Sequence, residues 1–216
     1  MGKLITFEGI DGSGKSTQLR LAAAWLTSIG QTVISTFEPG DTVLGAKIRN
    51  LLLSGEDEPV PECELLLFLA DRAQHVREVV QPALQCGAWV LCDRFSDSTL
   101  AYQLAARDLA AGKLNDGADH LQHMLGFAEC GVSSDLTLWF DVPVSVAALR
   151  MRERQQAGEK STRLDDEAAS FHERVLAAFA SQASAEPERM LRVDAAGDID
   201  HVQQQVSSIL TQRFAL

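Results

Sequence analysis

Gly9, four intervening residues, then Gly14-Lys15-Ser16 spell the G-x-x-x-x-G-K-[ST] pattern. The chemistry suited to it is the holding of polyphosphate. Glycines let the backbone approach an anion closely, so that N–H groups of Gly9, Ile10, Asp11, Gly12, Ser13, Gly14, Lys15, Ser16 and Thr17 converge on one point. Lys15 is expected to reach the β- and γ-phosphates of ATP or GTP, and the Ser16 hydroxyl to serve Mg²⁺. A partner carboxylate is expected near that metal. Asp93, followed by Arg94, closes the apolar run Trp89-Val90-Leu91-Cys92. An Asp there serves equally as a helix cap; beside a phosphate loop it is a candidate for the metal shell.

These residues need a strand, a tight loop and a helix in that order. Leu4-Ile5-Thr6-Phe7 reads as a buried strand, and an apolar-periodic helix opens at Gln18 with Leu19, Ala22, Leu26 and Ile29 on one face. Strands are also expected at 32–36, 88–92, 136–141 and 189–193, several as near-continuous apolar runs of the kind a parallel sheet buries on both faces. A helix is expected over 61–85, distorted near Pro82, and a last one carries Val202, Val206, Ile209 and Leu210 on one face. Strands alternating with helices predict an α/β doubly wound sheet, with ligands beyond the C-terminal strand ends. The run 152–165 is polar, contains Gly158 and carries Arg152, Arg154, Lys160 and Arg163; it reads as a mobile excursion rather than a core element.

The chain has 216 residues and reads as one domain, 1–216. Its net charge is −11, which argues against non-specific nucleic-acid binding, so any bound anion needs a local cluster of Arg and Lys. The four cysteines have no metal spacing and read as free thiols of a reducing cytoplasm. No run is apolar enough to predict a membrane span, and the chain enters a strand almost at once, so no secretory leader is expected.

Further motifs carry a resemblance. FEGIDGSGKST, Glu38-Pro39-Gly40 with Thr42, LFLADRAQH at 67–75, DRFSDSTLAYQ at 93–103 and DLTLWFDV at 135–142 follow one another in the order and spacing of the thymidylate kinase family. The resemblance covers nearly the whole chain. It implies a phosphate-loop NTPase fold of the nucleoside monophosphate kinase type: a five-stranded parallel sheet flanked by helices, with a lid at about 150–165. It implies transfer of the ATP γ-phosphate to dTMP, giving dTDP, with Mg²⁺, in a homodimer. Phe68 and Arg72, four apart and so on one helix face, match positions that hold thymine; Phe68 alone would serve equally as core. Arg49 and Arg94 match contacts to the acceptor phosphate. Ser98, Thr99 and Gln103 match positions lining the base, and Tyr102 a position against the sugar, where bulk disfavours a 2′-hydroxyl. Asp11 and Glu38 match carboxylates near the acceptor sugar and phosphate.

Some members of that family carry a catalytic Arg in the phosphate loop, where this chain has Gly12. The resemblance is to the other group, in which the lid supplies the charge; Arg154 and Arg163 are the residues expected to do so. The chain also departs from the family's pattern. Asp41 stands where Gly is usual, Phe37 where Arg often precedes Glu38, Phe95 for a frequent Tyr and Leu104 for a common Gly. Another acceptor, such as dUMP, UMP or a deoxynucleoside, stays open on sequence grounds. A switch GTPase is disfavoured by the lack of a guanine-reading N-K-x-D.

Overall fold

The computed structural model describes residues 2–54, 58–107, 117–158, 161–165 and 167–216. Five strands, β1 (Lys3–Glu8), β2 (Val33–Phe37), β3 (Trp89–Asp93), β4 (Leu136–Asp141) and β5 (Met190–Asp194), form one parallel sheet in the order β2-β3-β1-β4-β5. The expected strands are all present. Three begin one residue later than the apolar pattern suggested, because Thr32, Ala88 and Arg189 lend only a carbonyl to the ladder, accepting from Trp89, Lys3 and Thr137. The central strands β1, β3 and β4 are buried along almost their whole length, which is why they read as unbroken apolar runs.

Register decides where chemistry can happen. Phe7 of β1 and Phe37 of β2 both pair with Asp93 of β3, so these three strands end side by side. The chain leaves β1 toward β2 and β3, then crosses back over to β4. That reversal opens a crevice at the C-terminal ends of β1 and β3.

Helix α1 (Lys15–Ser28) buries Leu19, Ala22 and Leu26. Ile29, expected on the same stripe, is 44 % exposed. The helix stops at Ser28, and Gly30 with φ 89° turns the chain away. Helices α2 (Val43–Leu53) and α3 (Pro61–His75) follow β2 and pack on each other. Beyond His75 the helix passes through a π turn, Val76–Val80, into a short α4 (Gln81–Gln85). Pro82 cannot donate to Glu78, and the Gln81 N–H bonds back five residues to Val76, so the distortion expected at Pro82 falls in the turn before it.

Helix α5 (Ser96–Thr99) runs into a second π turn, Leu100–Ala106. Helices α6 (Gly117–Ala128), α7 (Val144–Gln156) and α8 (Ala169–Ala185) precede α9 (Ile199–Phe214), whose Val202, Val206 and Leu210 are buried. Ile209, expected with them, is half-buried at the edge of that face. One correction concerns 152–165. Its first five residues are the last turns of α7, so Arg152 and Arg154 ride on a helix, and the non-helical stretch starts only at Ala157. Leu164, near its end, is buried. No helix among the described residues is long and apolar enough to cross a membrane.

Candidate active site

The glycine-rich loop leaves β1 at Glu8 and enters α1 at Lys15, so its N–H groups meet the positive end of the α1 dipole. Gly12 has φ 80°, and a Cβ there would overlap the Ala147 carbonyl of α7. A side chain there is strained on both counts. The loop floor is apolar: Ile10 is buried in the main core.

The Lys15 ammonium donates to the Asp11 carboxylate at 3.3 Å and to the Ile10 carbonyl at 3.5 Å. The Ser16 hydroxyl donates to Asp93 Oδ2. A hydroxyl at the start of α1 and a carboxylate at the end of β3 therefore touch. Such hard oxygen donors beside a phosphate loop are what Mg²⁺ takes, so the residues present fit that ion.

Arg94 occupies the left-handed region at φ 74°, an uncommon place for a residue with a side chain. Its Nη1 donates to the Gly9 carbonyl at 3.0 Å and to Ser98 Oγ at 3.1 Å. Its Nη2 donates to Asp11 Oδ1 at 2.8 Å and to the Tyr102 hydroxyl at 3.3 Å. Burial works to raise the Asp11 carboxyl, but Arg94 and Lys15 outweigh it and hold the group well below the usual carboxylate range. The same oxygen, Asp11 Oδ1, thus accepts from both cations.

Across the crevice, α3 presents Phe68 and Arg72 to a cavity of about 560 Å³ whose wall also includes Lys15, Arg94, Tyr102 and Arg154. Arg72 Nε donates to Glu38 Oε2 at 2.8 Å, its Nη1 to Thr99 Oγ1 at 3.0 Å, and its guanidinium lies 5.0 Å from the Phe95 ring centre. Ser98, Thr99 and Gln103 line the same wall. Arg49 of α2 also lines it, donating to the Pro39 carbonyl at 2.7 Å. The Tyr102 ring is wedged edge-on against Phe171 and Phe179, with ring centres at 6.0 and 6.5 Å. The Glu38–Pro39 bond is cis.

At the lid, the sequence-based picture changes. Arg154 lines the cavity and its guanidinium contacts Met151. Lys160 lies outside the described residues. Arg163 does not face the phosphate loop: it donates to the Leu52 carbonyl at 3.3 Å and pairs with Glu64 of α3. Glu64 also accepts from Gln103 at 3.0 Å and from Arg107 at 3.3 Å. Burial works to raise the Glu64 carboxyl; bonds from Gln103 and Arg163 and the charge of Arg107 bring it below its ordinary value. Arg163 acts in this structure as a clasp between the lid segment and α3. A long flexible side chain takes the nearest buried carboxylate, and that carboxylate is invisible from the lid's own sequence.

Comparison with known proteins gives this geometry its context. A model of the thymidylate kinase family matches residues 7–206. The chain is 43 % identical to a thymidylate kinase of Nostoc punctiforme over 211 residues, 97 % of this chain and 95 % of that one. It is 44 % identical to one of Thiobacillus denitrificans over 209 residues, 97 % and 96 % of the two. The chain belongs to the thymidylate kinase family. The crystal structure of a thymidylate kinase from Ehrlichia chaffeensis superposes with a TM-score of 0.74 at 30 % identity, covering 97 % of this chain and 98 % of that one. The five-stranded parallel sheet and its flanking helices are thus those of a thymidylate kinase.

Most of the residues expected in a thymidylate kinase site come together in this one crevice. Several groups there were not expected. Glu8, at the buried end of β1, accepts from the Phe95 N–H at 2.7 Å and from Ser98 Oγ at 2.5 Å. Burial, then the Asp97 charge, push its carboxyl up to about 8. An acid inside an apolar strand was the available signal. Glu64 and His75 are buried acceptor-side residues of α3. Arg150 of α7 donates to the Ala195 and Gly197 carbonyls at 2.9 and 3.3 Å and reaches the Gly12 carbonyl at 3.5 Å, tying α7, the phosphate loop and the β5–α9 turn together. No sequence spacing marks those three contacts.

Proposed function

We propose that this protein transfers the γ-phosphate of ATP to dTMP, giving dTDP. The observation that carries this reading is the shared oxygen of Asp11. Lys15, on the phosphate-loop side, and Arg94, on the acceptor side, meet at that one atom. Two phosphate-binding cations of one cleft lie edge to edge, as transfer between two phosphates requires. An oxygen of the dTMP phosphate attacks the γ-phosphorus, the bond to the β–γ bridging oxygen breaks, and ADP leaves. The acceptor phosphate is already an anion near neutral pH, so no strong general base is needed.

Residues 9–17 cradle the donor phosphates, with Lys15 on the β- and γ-groups. Ser16 and Asp93 hold Mg²⁺, which offsets phosphate charge when bound. Arg94 and Arg49 take the acceptor phosphate as planar donors. Phe68 stacks on thymine, while Arg72, Ser98, Thr99 and Gln103 meet its polar edge. Asp11 holds the two cations, and Glu38 holds Arg72. Tyr102, wedged between two Phe rings, cannot retreat from a 2′-hydroxyl, which makes it the sugar filter. Arg154 is the lid cation that completes the site on closure; Arg163 keeps a supporting role through Glu64. All of this operates within one domain, 1–216.

The protein acts in the cytoplasm, in keeping with four free cysteines. It works as a homodimer: Leu66 of α3 and Phe127 of α6, on two helices that pack together, are 55 % and 85 % exposed. The deciding test is a coupled ADP-release assay with dTMP, dUMP, UMP, dCMP and dGMP in parallel. Turnover should be fastest with dTMP and nearly lost in Lys15→Ala. Equal use of UMP and dTMP would overturn the role of Tyr102.

A further inference from the structure

Beneath the acceptor wall runs a buried chain of polar groups that phosphoryl transfer does not use. It starts at Asp41, the acid that stands where the family pattern usually has Gly. The Thr36 hydroxyl donates to Asp41 Oδ2. Thr36 Oγ1 also lies 2.5 Å from His75 Nε2. On the other side of the ring, His75 Nδ1 lies 2.7 Å from Glu38 Oε1. Glu38 Oε2 then accepts from Arg72 Nε at 2.8 Å, and Arg72 reaches Thr99 at 3.0 Å. His75 is 0 % exposed, Arg72 2 %, Thr36 3 % and Glu38 5 %.

Counting protons along this chain fixes the charge of the ring. A hydroxyl has one proton. Asp41, as a carboxylate, can only accept, so the Thr36 proton points to it. Thr36 oxygen must then accept from His75 Nε2–H. Glu38 is also an acceptor, so Nδ1 needs a proton as well. Both ring nitrogens are donors only in the imidazolium. The other titratable groups around the ring are Asp71 and Arg72 on its own helix and Cys92 of β3. Asp71, pushed up to about 6 by burial and then by Glu38, anchors the Gly40 N–H at 3.1 Å. Glu38 touches the ring directly, Asp41 lies one hydroxyl away through Thr36, and Arg72 is on the far oxygen of Glu38.

Glu38, His75 and Cys92 also bring ligand-type atoms within 4.8 Å of one another. That cluster is better read as a hydrogen-bond relay than as a metal centre. Both His75 nitrogens and both Glu38 oxygens already have partners, and the Cys92 thiol donates to the Arg94 carbonyl at 3.0 Å.

We infer that His75 is a positioning residue, held as an imidazolium by Asp41 through Thr36, which locks Glu38 and thereby aims Arg72 into the acceptor cavity. Asp41 has a definite role in this scheme. With Gly in its place the Thr36 hydroxyl is free to turn and donate to Nε2, and a neutral ring with a proton on Nδ1 satisfies the same geometry. The departure at Asp41 therefore changes the charge of the ring while leaving its contacts in place. The aim of Arg72 at a nucleobase rests on the dTMP reading; the protonation of the ring does not.

The experiment has two arms. In the first, imidazole ¹H–¹⁵N spectra are recorded at about pH 7.5 for the full chain and for Asp41→Gly. The wild-type His75 ring should carry protons on both nitrogens, and the Asp41→Gly ring on Nδ1 alone. A neutral wild-type ring, or an imidazolium that persists in Asp41→Gly, overturns the charge assignment. In the second, His75→Gln should raise KM for dTMP about tenfold, the scale of one weakened charge-assisted bond, while KM for ATP, measured below the variant's melting temperature, stays near wild type. Equal changes in both KM values, or an unchanged KM for dTMP, overturn the positioning role without touching the kinase reading.

Discussion

Arg94 is where backbone conformation and chemistry make opposing demands, and substitution can separate them. Its φ of 74° favours glycine, while its guanidinium makes four bonds, to Gly9, Ser98, Asp11 and Tyr102. In catalysis its fork is assigned two charge-assisted bonds to the acceptor phosphate, each worth about 1.5–3 kcal/mol. Losing both removes about 3–6 kcal/mol of transition-state stabilisation, or roughly 10²–10⁴ in kcat/KM. Arg94→Ala and Arg94→Gly should share that loss. They should differ in stability: a Cβ in the left-handed region costs about 1–2 kcal/mol, so Arg94→Gly should melt about 2–8 °C above Arg94→Ala for a chain of this size. Arg94→Lys keeps the charge but not the planar fork and should recover only a small part of the activity. The assay is steady-state ADP release with dTMP varied, alongside thermal melts of all three variants. Near-wild-type kcat/KM in Arg94→Lys refutes bidentate recognition. Equal melting temperatures for the Ala and Gly variants refute the backbone argument.

Gly12→Ala forces a Cβ onto the Ala147 carbonyl at φ 80° and should cost about 2 kcal/mol or more, read as a lower melting temperature and a raised KM for ATP; a wild-type melt would contradict it. Glu8, pushed up to about 8, keeps in the fold a proton that the unfolded chain releases near its ordinary value of about 4.5. Its stabilising effect is therefore full below that lower value and is lost as pH rises through about 8. Urea midpoints should fall between pH 5 and pH 8 (about three units, spanning most of that window), and Glu8→Gln should flatten the fall. Arg154→Ala should lower kcat more than Arg163→Ala, whereas Arg163→Ala should lower hydrogen-exchange protection over 161–165; the reverse ranking would return Arg163 to the phosphates.

Local and long-range features differed in how far the sequence revealed them. The phosphate loop was legible because its chemistry is local: spacing, glycines and the flanking strand and helix all lie within residues 3–28. The central strands β1, β3 and β4 were legible because burial on both faces leaves no alternation to misread. The acceptor wall became legible only through the family's motifs, since Arg72 meets Glu38 across 34 positions and Thr99 across 27. The contact made by Arg163 was hidden for the same reason. Its partner Glu64 is 99 residues away, and the lid's charge pattern says nothing about a carboxylate on another helix. The left-handed backbone of Arg94 and the relay from Asp41 to Arg72 likewise depend on contacts between elements, which composition and periodicity do not encode.

The central claim is that one cleft passes a phosphoryl group directly from ATP to dTMP. It is tested most directly by incubating the protein with Mg²⁺, ATP labelled in the γ-phosphate and dTMP, and separating the labelled products. The label should appear in dTDP, with little in inorganic phosphate, and should stay in ATP when dTMP is withheld. Label accumulating as inorganic phosphate at the same rate with and without dTMP would contradict the account.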